Sequence, residues 1–79
     1  MSFVVETQSV VFTEGENEMS VTFSGVHSAI PAVTVSLENA TNANFNAYTF
    51  ETTTTGTKIR LSANAPSGLK AKVHIISKA

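Results

Sequence analysis

The sequence has no cysteine, no tryptophan and no aspartate among its 79 residues. The lack of cysteine excludes disulfides and thiolate metal sites, and two histidines without an aspartate leave few other metal ligands. A domain this short buries only about 60% of the surface of its unfolded chain, so it usually needs a disulfide, a metal or a partner chain. We therefore expect no cofactor and favour oligomerisation.

Charge is scarce as well, since charged residues make up 14% of the chain and the formal net charge is -1. Such a chain has no basic field to attract nucleic acid, and no apolar run is long enough to span a membrane. Its opening residues lack the features of a signal peptide, so we expect no secretion by that route. The abundant short, uncharged side chains favour packing against other proteins, and an ordinary polar β surface is an equally good interpretation.

Apolar residues recur at every second position, as in Leu69, Ala71, Val73 and Ile75, which alternate with lysines and a histidine. A period of two is typical of a strand with one buried face, and no segment shows helical periodicity. The sequence predicts a single domain over residues 1–79, an all-β, small six-stranded antiparallel β-sandwich. The predicted strands are Phe3 to Phe12, Met19 to Phe23, Ala32 to Glu38, Ala47 to Thr53, Thr57 to Ala63 and Leu69 to Ser77.

The first predicted strand breaks the alternation, because two apolar triplets flank a polar middle and place apolar atoms on both faces. Either a neighbouring subunit covers the second face, or the strand bends at its middle and changes sheet. Ile75 and Ile76 are adjacent, so one of them also places an apolar side chain on the outward face of its strand. The interface with other copies or a partner is predicted at Phe3, Val4, Val5, Val10, Val11, Ile75 and Ile76.

No arrangement of residues predicts catalysis or a metal site. Glu14, Glu16 and Glu18 surround a glycine turn but lack the spacing of a calcium loop, so a solvated hairpin tip is the preferred interpretation. His27 and His74 lie far apart, with no nucleophile motif beside either, and are predicted to be polar surface residues. We therefore expect no enzymatic activity.

Two polar regions are candidates for contacts with a ligand or partner. A mildly basic stripe is expected if the fifth and sixth strands are neighbours, formed by Lys58, Arg60, Lys70, Lys72 and His74. The loop from Asn39 to Asn46 combines amide side chains with an aromatic ring, which suits sugar hydroxyls or a partner backbone, and also suits turn formation. A sugar or partner contact is predicted at Asn42, Asn44, Phe45 and Arg60.

From Val21 onward the order of features resembles the H-type lectin domain. The resemblance lies in Val21 to Ser36, the Asn-rich middle from Asn39 to Asn46, the segment Thr54 to Leu61 and the closing segment Lys72 to Ala79. It implies a six-stranded β-sandwich that forms trimers and binds N-acetylgalactosamine-type sugars between subunits. Because the chain lacks the aspartate and tryptophan of that family, the resemblance implies the fold and the trimer more than the sugar site.

The composition is also similar to that of small accessory virion proteins of tailed bacteriophages. We therefore predict a non-enzymatic structural protein of a larger assembly, most simply a trimeric protein of the virion surface, either capsid decoration or a fibre knob, made in the host cytoplasm. The alternative is a small carbohydrate-binding module of the H-type lectin kind, with a glycan as its partner.

Overall fold

A computed structural model describes residues 2–40 and 45–78 of the chain. All six strands pair antiparallel, which confirms the prediction of an all-β domain. The fourth strand ends three residues earlier than predicted, because Glu51 adopts a left-handed φ of 50° and turns the chain. The strands are β1 (Phe3–Val11), β2 (Glu18–Thr22), β3 (Ala32–Leu37), β4 (Ala47–Phe50), β5 (Gly56–Leu61) and β6 (Lys70–Lys78).

The strands form two three-stranded sheets, which we call sheet 1 (order β1-β6-β3) and sheet 2 (order β2-β5-β4). The fifth and sixth strands therefore belong to different sheets, and the predicted basic stripe is wrong. Lys58 and Arg60 lie on sheet 2, whereas Lys70, Lys72 and His74 lie on sheet 1.

Both sheets contribute to one hydrophobic core, as in a β-sandwich. Ile59, Val73 and Ile75 are almost completely buried there, together with Leu69 from the turn before β6. Phe12, Val21, Phe23, Leu61, Ala65 and Ala71 complete the set of buried apolar residues. The inward-facing positions are those that the period of two selects.

Strand β1 stays in one sheet over its whole length, pairing with β6 from Phe3 opposite Lys78 to Val11 opposite Lys70. The interpretation that it bends and changes sheet is therefore wrong. Its exposure alternates without interruption, so the triplets divide between the two faces. Of the predicted interface residues, Phe3, Val5, Val11 and Ile76 are exposed, whereas Val4 and Val10 are half-buried and Ile75 belongs to the core.

The turn before β5 needs its glycine. A Cβ atom at Gly56 would lie 2.6 Å from the carbonyl oxygen of Val21, because the backbone of β2 passes directly beside it. The backbone N–H of Thr53 donates to the carbonyl of Gly56 over 2.9 Å and closes this turn. The predicted Thr54-Thr55-Gly56 turn is therefore a tight one that has room for no side chain at its last residue.

Two adjacent isoleucines test the assignment of faces. Ile75 is 1% exposed and Ile76 is 44% exposed. We expect Ile75→Ala to lower the free energy of unfolding by about 2–5 kcal/mol, because it opens a cavity in the core. Ile76→Ala should change it by less than about 0.5 kcal/mol when urea unfolding is followed in dilute solution, below any self-association. Equal losses would contradict the inward and outward assignment.

Candidate functional site

The outer face of sheet 1 carries a group of exposed apolar side chains at one end, which we call the apolar patch: Phe3, Val5, Ile30, Ala32 and Ile76. The register places three of them in one row across the sheet, since Val5 and Ala32 both lie opposite Ile76. Phe3 lies one outward position along β1 from Val5, and Ile30 lies just before β3. The patch therefore draws residues from all three strands of the sheet.

Polar residues cover the next rows of the same face. His74 lies between Thr7 and Thr34, and Lys72 lies between Ser9 and Ser36. These rows separate the apolar patch from Val11, which is exposed at the opposite end of β1 beside Lys70. The patch is therefore a bounded area and not a general property of the sheet.

The apolar patch carries an energetic cost while it faces water. Val5 is 67% exposed and Phe3 is 53% exposed, so most of each side chain remains in contact with solvent. Full burial of a valine, isoleucine or phenylalanine side chain contributes roughly 1.5–3 kcal/mol, and burial of several together is a substantial driving force. Exposed apolar areas bounded by polar residues are typical of protein-protein interfaces.

A buried polar network lies on the inward side of the same sheet. His27 bridges two strands, with Nε2 at 2.8 Å from Oε1 of Glu6 on β1 and Nδ1 at 2.7 Å from the hydroxyl of Ser77 on β6. Glu6 also accepts hydrogen bonds from the backbone N–H groups of Ser24 and Gly25, from the Ser24 hydroxyl and from the side chain of Gln8. The network fastens the loop between β2 and β3 to sheet 1.

This group of a serine, a histidine and a glutamate has the residue types of a catalytic triad but not its arrangement. Ser77 is 7% exposed, and the side chain of His27 is completely buried. A nucleophile must reach a substrate carbonyl, and this hydroxyl points into the protein interior. The prediction that His27 is a surface residue is wrong: it is a structural residue of the interior, whereas His74 is exposed as predicted.

The hydrogen bonds of the network determine the protonation of Glu6. Partial burial of the carboxylate on its own would raise its pKa, but donation from Gln8, His27, Ser24 and Gly25 outweighs burial and holds the pKa well below the usual range. The carboxylate is therefore ionised and only accepts hydrogen bonds, so the Nε2–H of His27 is the donor between them. A carboxylate with several donors forms charge-assisted bonds, which are stronger than neutral ones.

The network predicts a loss of stability in acid. A carboxyl group whose pKa is lower in the folded state contributes stability that is complete above its unfolded pKa of about 4.3 and is lost as the pH falls toward the folded value. We expect Glu6→Gln to lower the free energy of unfolding at pH 7 and to flatten its decrease below about pH 4.5. Glu14→Gln is the control and should retain the wild-type dependence; Glu14 is exposed in the turn between β1 and β2, which joins the two sheets and is not the predicted hairpin tip. The measurement is urea unfolding from pH 7 to pH 3, and an unchanged acid limb in Glu6→Gln would contradict this account.

The outer face of sheet 2 carries aromatic and charged side chains. The guanidinium of Arg60 lies 4.5 Å from the ring centre of Phe50 and its Nη2 is 2.7 Å from a carboxylate oxygen of Glu18. Tyr48 is exposed beside Phe50, with 6.0 Å between the ring centres. Sequence reasoning identified Arg60 but missed Tyr48 and Phe50, although both fall at outward positions of β4.

The other predicted contact residues do not join Arg60. Phe45 is half-buried and packs against the core. Asn42 and Asn44 lie outside the described residues. Within residues 2–40 and 45–78 no three His, Cys, Asp or Glu side chains are grouped to hold a metal ion, and this part of the chain has no helix long and apolar enough to cross a membrane.

Comparisons of the chain with protein-family models, curated proteins and solved structures find no match. The resemblance to the H-type lectin domain therefore stays a prediction.

Proposed function

We propose that this chain is a non-enzymatic structural protein that associates with copies of itself and attaches to a larger particle, with the surface of a bacteriophage virion as its setting. The observation that carries the proposal is the apolar patch on the outer face of sheet 1. Val5, Ile76 and Ala32 lie side by side in one row, so a partner surface buries them together. Such a row suits packing against another protein better than binding of a small polar ligand.

The interior and the composition support the same proposal. The residue types that resemble a catalytic group, Glu6, His27 and Ser77, are already engaged with one another inside the protein. The low charged fraction, 14%, is suited to a surface that becomes buried in an assembly, because few charges have to be desolvated. The trimer implied by the resemblance to the H-type lectin domain stays a prediction, and the mass in solution decides the number of copies.

Polar substitutions in the apolar patch should dissociate the assembly. We expect the wild-type chain, 8.4 kDa as a monomer, to sediment as an oligomer at micromolar concentration. Val5→Ser and Ile76→Ser should each raise the dissociation constant by roughly tenfold or more, since each removes, in every chain of the oligomer, a share of the roughly 1.5–3 kcal/mol that full burial of such a side chain contributes. Sedimentation equilibrium measures the mass of the wild-type oligomer and the dissociation constants of the two variants.

Val26→Ser is the matched control for these variants. Val26 is the most exposed large apolar residue in the described part of the chain, at 88%, but it lies in the loop between β2 and β3 and not in the apolar patch. Its substitution should leave the oligomer intact. A wild-type chain that stays monomeric at all concentrations would overturn the proposal, as would patch variants that associate like the wild type.

A carbohydrate-binding module remains the second candidate because of Tyr48. Its exposed ring on the outer face of sheet 2 offers an apolar surface for one side of a sugar ring, next to the polar head of Arg60. Against this, the Arg60 guanidinium is already bound to Glu18 and stacked on Phe50, so few free donors surround the tyrosine. Tyr48 and Arg60 do not line the open pocket beside Ser20 and Lys58 on this sheet, whereas lectin sites need converging polar groups in a pocket for affinity.

We therefore expect a glycan array probed with the oligomeric protein to give no signal or a very weak one. Tyr48→Ala and Arg60→Ala should leave that result unchanged. A clear signal for one sugar class that both substitutions abolish, and that Ser36→Ala on the other sheet preserves, would establish the carbohydrate-binding function instead.

A further inference from the structure

The edge of sheet 1 formed by β1 has only one feature that protects an edge strand from pairing with another strand, the inward-pointing charge of Glu6. β1 is nine residues long, whereas the strands at the other three sheet edges, β3, β2 and β4, have six, five and four residues. Natural edge strands are commonly interrupted by lysine, proline or a bulge. β1 has none of these, and the carboxylate of its single charged residue, Glu6, is engaged in the buried network.

The backbone of β1 also offers a complete row of hydrogen-bonding groups. The N–H of Phe12 donates to the carbonyl of Leu69 over 2.9 Å, so this pair is a hydrogen-bonded pair of the antiparallel ladder. Because such pairs alternate, even-numbered residues of β1 bond to β6 and odd-numbered residues direct their N–H and C=O groups away from it. Among residues 2–40 and 45–78, no backbone group is bonded to this outward row.

The sequence of β1 is complementary to itself in the antiparallel direction. With a two-fold axis at Thr7, each Thr7 faces its own copy, Val5 faces Ser9, and Phe3 faces Val11. These odd-numbered residues are the ones whose backbone groups point outward, so they would form the hydrogen-bonded pairs of the new ladder. On the inward side Val4 faces Val10 and Glu6 faces Gln8. Apolar residues thus meet apolar ones at both ends, and no two like charges are opposed.

We propose that β1 pairs with β1 of a second copy of this chain, antiparallel and centred on Thr7, to make one continuous six-stranded sheet. The occupant of the edge is a second copy because the strand matches itself over its full length and because its outward residues Phe3 and Val5 belong to the apolar patch, which pairing places beside the outer face of the second copy. This isologous contact closes after two copies and leaves no free β1 edge. The inference rests on the proposed function only in that both require self-association.

Introduced cysteines test the pairing directly, since the chain has none of its own. In a hydrogen-bonded antiparallel pair the two Cα atoms are about 5.5 Å apart, within the range that a disulfide spans. Under mild oxidation Thr7→Cys should form a covalent dimer at micromolar concentration. Thr34→Cys is the matched control, because Thr34 flanks His74 on the other side and faces the same way on the opposite edge strand, and it should remain uncrosslinked.

The register of the proposed pairing between the two β1 strands can be tested separately. A mixture of Val5→Cys and Ser9→Cys chains should form the mixed disulfide, and each variant alone should crosslink several-fold less.

Thr7→Lys places two ammonium groups opposite each other and should weaken self-association by about fivefold, whereas Thr34→Lys should not. Circular dichroism verifies that each variant is folded.

Failure of this inference is distinguishable from failure of the proposed function. An oligomer that dissociates in Ile76→Ser but does not crosslink through Thr7→Cys would overturn the pairing of β1 and leave the apolar patch as the contact. A strict trimer without crosslinking would do the same. Crosslinking of Thr7→Cys and Thr34→Cys to equal extents would also overturn it, as random collision would then explain both.

Discussion

The central strand of sheet 1, β6, is the constraint on which the rest of the molecule depends. It pairs with β1 on one side and β3 on the other, and its inward residues Ala71, Val73 and Ile75 lie in the core. A slip of one residue would exchange its two faces and bring lysines and a histidine into the interior, so the core fixes the register. That register also decides which outward residues become neighbours. The apolar patch therefore exists because Ile76 must point outward when Ile75 points inward.

The polar middle of β1 holds the loop between β2 and β3 in place through Glu6. Glu6 faces inward from an edge strand, where an ionised carboxylate without partners would be strongly unfavourable. The loop between β2 and β3 supplies those partners through Ser24, Gly25 and His27. Gly25 lacks the side chain that would crowd the carboxylate, since a Cβ there would come within 3.0 Å of it. This long connection is thus positioned by hydrogen bonds as well as by the packing of Phe23 in the core.

Period-two alternation was sufficient to predict six strands and to place Ile75 and Ile76 on opposite faces, because it depends only on backbone geometry. It could not predict sheet order, since two strands with the same pattern look alike whether or not they are neighbours; the stripe through Lys58 and Lys70 failed for this reason. The same alternation places Glu6 and Ser77 inward, and two inward polar residues require a partner. The alternation does not identify that partner, because His27 lies in a loop whose residues it does not place. Tyr48 lies at an outward position of β4, but only the pairing of β4 with β5 brings it beside Arg60.

The order of the strands along the chain has a consequence for how the protein folds. Thr7 and His74 are side by side in sheet 1 but 67 residues apart in sequence. The first strand therefore cannot enter its sheet until the last one is available, and closing so large a loop is entropically slow. During synthesis β1 leaves the ribosome before β6 and stays unpaired until β6 has been made. In that interval both edges of β1 and the apolar residues at both of its ends are exposed to solvent. Encounter with another nascent chain and completion of the fold then compete for the same strand.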